Sequence, residues 1–172
     1  PDWYIWSCEK IQYMFPKAHA AAYVMMSWRI AYCKIFYPQA YYAAYFSIMG
    51  NGFSYETMGQ GIDKLRYTMA EYKKKGDNIS SREAEQYRDM RIAEEMYARG
   101  IEMLPIDIYK SKGTAFSIED GKLRPCFTAI DGLGESVGKQ IEEEAKKGRF
   151  LSKEDFRNRC KVGKSTCELL EN

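Results

Sequence analysis

The sequence predicts a mainly α fold: a bundle of helices, a short β-hairpin or loop segment, then a tandem helix-hairpin-helix. Three observations predict it. Helical periodicity runs from Asp2 to Arg99, punctuated by Pro16, Pro38, Gly76 and Gly100. Between Ile101 and Phe127 the pattern changes to short β-like runs separated by Pro105, Gly113, Gly121 and Pro125. From Ala129 the chain reads Ala-Ile-Asp-Gly-Leu-Gly-Glu-Ser-Val-Gly-Lys-Gln-Ile, an apolar residue and a Gly-Leu-Gly turn leading into an amphipathic helix. With 172 residues, 45% of them apolar, the chain can bury one large or two small cores. The expected divisions are 1–100, 101–127 and 128–172.

Asp2 to Met14 is an apolar-rich helix broken by Pro16. Lys17 to Tyr37 is a strong helix, apolar almost all round, which predicts burial in a larger body. Pro38 ends it and opens the next helix, through about Met49. Tyr37, Tyr41, Tyr42, Tyr45 and Phe46 cluster here. Such rings can stack on bases, but core packing is their commoner use. Asn51-Gly52 is a turn. Ser54 caps a helix expected to reach Lys75, stopped by Gly76, with Lys73, Lys74 and Lys75 favouring its C-terminal dipole. Ser80, with Glu83 at capping-box spacing, starts a charged helix to Arg99 with a narrow apolar stripe around Ile92 and Met96. Ala115 to Ile118 and Lys122 to Phe127 read as strands joined at Asp120-Gly121. Helical pattern resumes near Thr128. After Gly148, Ser152 caps a helix to about Arg159. Then Lys161-Val162-Gly163-Lys164-Ser165 leads into Thr166 to Glu171 and looks like a second, glycine-poor hairpin.

The Gly-Leu-Gly turn carries the chemistry. Gly132 and Gly134 permit positive φ and close approach of the backbone to another surface, and Leu133 can anchor the turn in the core. The helix starting near Glu135 then presents unpaired N–H groups and its positive dipole end. Such a turn binds phosphate without reading bases. Gly132, Leu133, Gly134, Ser136 and Lys139 are the expected DNA-binding residues of the first hairpin. Lys161, Gly163, Lys164 and Ser165 are those of the second, with the lysines acting as point charges. A net charge of only +2 gives no global basic field, and residues 129–172 hold nine Lys or Arg against nine Asp or Glu. DNA affinity must therefore come from local geometry.

The five cysteines form no CxxC pair, and His19 is the only histidine. No zinc site or disulfide framework is expected, and reduced thiols in the cytoplasm fit better. The uncharged stretch from Ile35 to Tyr55 contains Pro38, Gln39 and Gly50-Asn51-Gly52 and is no membrane helix, so no membrane partner is expected. The chain begins at Pro1 without an initiator Met, and it reads as a piece of a longer protein.

Phe15-Pro16-Lys17-Ala18-His19-Ala20-Ala21-Ala22-Tyr23 is followed by Arg29-Ile30-Ala31-Tyr32, Tyr37-Pro38 and Tyr41-Tyr42-Ala43-Ala44-Tyr45-Phe46. With Leu104-Pro105-Ile106-Asp107-Ile108-Tyr109, Pro125 to Gly134 and Phe150 to Asp155 in the same order, the chain resembles PolC-type bacterial DNA polymerase III alpha subunits. The resemblance implies the end of the helical fingers followed by a duplex-binding tandem helix-hairpin-helix. It implies that Lys17 and His19, at a helix start, face the incoming deoxynucleoside triphosphate. Its other implied partners are primer-template DNA, the rest of the polymerase chain and, more remotely, replisome proteins. It also implies Mg²⁺ held by palm aspartates that have no counterpart here, so no catalytic residue and no metal ligand is assigned to this chain, and the piece alone should be inactive. A second reading is a free-standing helix-hairpin-helix module for DNA or protein. The reading frame upstream of Pro1 separates the two.

Overall fold

The computed structural model describes residues 1–10 and 16–171. They group into two compact units, Pro1–Pro38 and Gln39–Asn172. These units do not coincide with the composition changes near residues 100 and 127.

The first unit holds α1 (Asp2–Lys10) and α2 (Lys17–Phe36). The expected continuation of α1 to Met14 lies outside the described residues. Pro16 stands at the N-cap of α2, where the φ of proline suits a helix entry and the missing N–H costs nothing. The burial expected of α2 is in a larger body, and within this chain the helix is open to solvent. None of its residues is buried, and Trp28 keeps 74% of its surface. The apolar residues lie on every side of the helix.

α3 (Pro38–Ile48) lies in the second unit from Gln39 onward, and in it Tyr42, Ala43 and Phe46 are buried while Tyr41 and Tyr45 pack against them. Tyr41, Tyr42, Tyr45 and Phe46 are core, not an open stacking platform, whereas Tyr37, grouped with them by sequence, lies in the first unit and keeps 59% of its surface. The single helix expected from Ser54 to Lys75 is two: α4 (Tyr55–Met58) and α5 (Ile62–Lys75). Gly61, at φ 102, breaks it, a conformation that excludes helix and favours glycine. Gly76 closes α5 at φ 54. In α6 (Ser81–Ala98) the Ser80 hydroxyl accepts from the Glu83 N–H and the Glu83 carboxylate accepts from the Ser80 N–H, the full capping box. Lys75 also grips Glu83 and, with the Ser80 bonds, holds its carboxyl down at about 2.

Met58, Leu65, Met90, Ala93 and Met96 join the α3 aromatics in one core, completed by Ile101, Phe116, Leu123, Cys126 and Ala129. Asp89 is fully buried in α6. Its carboxylate accepts from the Tyr45 hydroxyl (2.9 Å) and from the Gly52 N–H (2.8 Å), which fastens α3 and the following turn to α6. Gly52 lies so close to α6 that a Cβ would meet the Gln86 nitrogen at 2.6 Å.

β1 (Ser117–Glu119) and β2 (Lys122–Arg124) pair antiparallel, with Ile118 opposite Leu123. Asp120 and Gly121 make the turn, both at positive φ (52 and 79), as a two-residue hairpin requires. The stretch before them runs alongside β2, where the Leu123 N–H donates to the Glu102 carbonyl and the Leu104 N–H to that of Leu123.

A 3-10 turn, Phe127–Ala129, leads to α7 (Glu135–Lys146), α8 (Lys153–Cys160) and α9 (Lys164–Glu171). The helix expected near Thr128 is only this one turn, because Pro125 precedes it and the Gly132 turn follows within a few residues. Among the described residues, no helix is long and apolar enough to cross a membrane.

Candidate nucleic-acid interface

Two turns of the same design feed one small core. Leu133 in the first and Val162 in the second are both buried, with Phe127, Ile141, Phe156, Cys160 and Cys167. In the first, Gly132 takes φ 85, Leu133 donates its N–H to Ile130, and Gly134 caps α7 at φ −73 and ψ 158. In the second, Lys161 takes the left-handed conformation (φ 54, ψ 39), Val162 donates to Arg157, and Gly163 precedes α9. The Gly138 N–H donates to Gly134 and the Cys167 N–H to Gly163 as the first helical bonds. The tail is therefore a structural duplication, Gly-Leu-Gly matching Lys-Val-Gly. A lysine in the left-handed region costs on the order of 1 kcal/mol, which glycine avoids.

One expectation needs correction. Positive φ explains Gly132 but not Gly134, whose φ is ordinary for any residue. A Cβ on Gly134 would also meet nothing within 4 Å. Among the described residues no contact and no positive φ requires glycine there, and its place at the N-cap of α7 is one that glycine suits. The site is open in the same sense at α7, where no side chain caps the first turn and Gly134, Glu135 and Ser136 are exposed. The helix N-terminus thus offers its free N–H groups to an external acceptor.

Lys139 lies one turn along α7, where its ammonium pairs with Glu135 at 2.6 Å and holds that carboxyl below the usual range. It is a neutralised cation as it stands. Lys164 is more loosely paired, 3.8 Å from Glu168, with both side chains largely exposed. Lys161, Gly163 and Ser165 are exposed around the second turn. Lys17 and His19 belong to the other unit, in the first turn of α2. That turn has no capping side chain, and the His19 ring stands edge-on to Tyr23 at 4.4 Å. The structure thus gathers the hairpin residues into two matched turns and keeps the two α2 residues together in the first unit.

Four supporting residues escaped the sequence reading. Gly113 and Gly138 meet backbone to backbone. A Cβ on Gly138 would stand 2.7 Å from the Gly113 carbonyl oxygen, and one on Gly113 would stand 2.9 Å from Lys139 Cα. The Gly113 N–H donates to Glu142 at 2.6 Å, and its carbonyl accepts from Thr128. Glu142 is held below the usual carboxylate range by Lys146 and then by this N–H. Arg159 staples the two hairpins: it bonds the Glu144 and Gly148 carbonyls, and its guanidinium lies 4.4 Å over the Phe150 ring. Asp131 ties the first turn to the helical body, accepting from the Ser54 hydroxyl and lying 3.4 Å from Arg82. Ser54 therefore spends its hydroxyl on the turn and does not cap α4. Only the glycines were visible locally, and their partnership spans elements distant in sequence.

A helix-hairpin-helix motif model matches residues 100–172, starting well upstream of the first turn. Over its full length the chain is also similar to one segment of longer proteins. It is 45% identical over 172 residues to "DNA polymerase III PolC-type" of Clostridium perfringens (strain 13 / Type A). Identity is also 45% over 172 residues to the protein of that name from Oceanobacillus iheyensis. With that of Streptococcus pneumoniae serotype 2 it is 44% over 173 residues, covering 99% of this chain. The chain spans 12% of the length of each of these relatives.

Proposed function

Because the chain corresponds over its whole length to one segment of PolC-type DNA polymerase III, we propose that it is the part of a replicative DNA-directed DNA polymerase that grips duplex DNA and meets the incoming nucleotide. The observation that carries this reading is Gly134: a glycine demanded by neither φ nor packing, on an uncapped helix start, in a chain of this similarity. The phosphate backbone is the ligand that fits. Amides of residues 135–137 donate to phosphate oxygens, and no base is read. The second turn adds Gly163, Lys161, Lys164 and Ser165 in the matching positions. Lys17 and His19 at the start of α2 serve the triphosphate of a deoxynucleotide. The three divisions at 100 and 127 are on this reading functional ones: nucleotide side, connector and duplex side.

The partners are primer-template DNA, a deoxynucleoside triphosphate, the remainder of the polymerase and replisome proteins, in the cytoplasm of a bacterium. A divalent cation, Mg²⁺ on this reading, supplies the Lewis acid of nucleotidyl transfer in the parent enzyme. The residues here do not fit it: among the described residues no three His, Cys, Asp or Glu groups come together as a metal site. This chain alone should extend no primer.

The test is Gly134→Val in the full-length polymerase, with duplex of mixed sequence titrated across salt concentrations. Valine tolerates the φ and ψ of Gly134, and its Cβ points into open space, so the fold stays. Binding through the first turn should be lost. The wild-type salt slope should be shallow, about −2 to −4 for roughly two to four phosphates. Wild-type affinity in the folded variant would reduce the hairpin to a structural turn.

A further inference from the structure

We propose that Arg82, on α6, is a phosphate ligand of the first hairpin, supplied by the helical body and not by the hairpin itself. This rests on the reading of that turn as a phosphate site. Two carboxylates flank the turn, Asp131 immediately before Gly132 and Glu135 at the start of α7. A phosphate settling on the α7 amides would meet both charges. Glu135 is neutralised by Lys139 one turn along the helix. Asp131 is neutralised from elsewhere in the fold. One carboxylate oxygen accepts from the hydroxyl of Ser54, which is 1% exposed and so fixed in place. The other lies 3.4 Å from Arg82 Nη2.

The arrangement leaves Arg82 only partly engaged. A guanidinium has five N–H donors in a planar fork, and the contact to Asp131 is long and made by one of its nitrogens. The Arg82 side chain is 78% exposed. It can hold Asp131 with one edge and a phosphate oxygen with another, which a lysine's point charge does less well. Acids and bases are equal in number in residues 129–172, so a cation supplied from outside that segment adds to its attraction for a phosphate. Arg82 stands 49 positions before Asp131 in sequence, so the helical body and the hairpin together build the site. The ligand class is a phosphodiester backbone of any sequence.

The experiment measures affinity of the full-length polymerase for mixed-sequence duplex at several salt concentrations. Arg82→Ala should lower affinity about tenfold and make the salt slope shallower by about 0.9, one phosphate contact. Arg82→Lys should keep the slope and recover part of the affinity. Asp131→Asn, which keeps an acceptor for Ser54 and removes the negative charge, should bind as well as wild type or better. A purely structural salt bridge predicts the opposite: both Arg82→Ala and Asp131→Asn weaken binding, with the slope unchanged. That result overturns the proposal, as does wild-type affinity and slope for Arg82→Ala. If Arg82→Ala is silent while Gly134→Val abolishes binding, the hairpin reading stands without Arg82. If Gly134→Val is silent, the hairpin reading fails, and any effect of Arg82→Ala then belongs to a separate surface and not to this composite site.

Discussion

Gly138→Ala is the substitution on which local and tertiary physics disagree most. Gly138 sits inside α7, where alanine is favoured over glycine by about 1 kcal/mol. Burying a methyl adds roughly 0.8 kcal/mol in the same direction. Against this, the new Cβ would stand 2.7 Å from the Gly113 carbonyl oxygen and 3.3 Å from Phe127 Cβ. The obstacle is backbone, which cannot rotate away, so α7 must retreat by at least about half an ångström to reach ordinary contact. Overpacking of this kind costs about 1–3 kcal/mol. The retreat also lengthens the 2.6 Å bond from the Gly113 N–H to the Glu142 carboxylate, a charge-assisted bond worth about 1.5–3 kcal/mol when intact. The net expectation is a loss of about 1–2 kcal/mol, or roughly 2–8 °C in Tm for a chain of this size. The assay is urea unfolding of the 172-residue chain followed by circular dichroism, with an unchanged m-value as the check on the folded state. Gly134→Ala is the internal control: its Cβ meets nothing, so its cost should be limited to the N-cap preference for glycine, below about 1 kcal/mol. A raised midpoint for Gly138→Ala would show that helix propensity outweighs the backbone contact and would refute the account of why glycine is there.

Three further outcomes are expected. Asp89→Ala leaves the Gly52 N–H and the Tyr45 hydroxyl without their buried acceptor and should cost about 2–4 kcal/mol by urea unfolding, with Asp89→Asn in between. The Glu83 carboxyl, lowered to about 2 by Lys75 and the Ser80 bonds, contributes stability that is fully present above its unfolded value near 4.5 and is lost as pH falls toward 2. Glu83→Gln should therefore flatten the acid unfolding profile between those limits, and an unchanged profile would show that this cap is not linked to protonation. Lys17→Ala and His19→Ala in the full-length polymerase should lower kcat/KM for nucleotide about tenfold or more, with DNA affinity kept. The reverse pattern in a steady-state titration would move these residues to the duplex.

The sequence was most legible where one residue decides the backbone. Pro16, Pro38, Gly76, Ser80 with Glu83, Asp120-Gly121 and Ser152 all mark boundaries that the structure keeps. It was less legible at Gly59-Gln60-Gly61, where a cap at Ser54 and a stop at Gly76 suggested one helix across the break between α4 and α5. For the hairpins, the turn residues and the buried Leu133 could be read directly, while the burial of Val162 could not. Their support could not. The Gly113–Gly138 contact, the Arg159 staple and the Ser54–Asp131–Arg82 tie each join segments that local pattern treats as separate. Polar side chains such as Ser54 have a local use and a distant one, and only the assembled fold shows which is taken.

The bare apolar surface of α2 has a practical consequence. The hydrocarbon is spread round the whole cylinder, with Trp28, Met25, Ile30 and Phe36 all more than half exposed. Exposed apolar area of this extent drives self-association in water. Both cores of the second unit are built from residues at or beyond Tyr41. Cutting before Gln39 thus separates a solubility problem from a folding unit: static light scattering should show mutual attraction between molecules in the whole chain and much less of it in the piece that starts at Gln39.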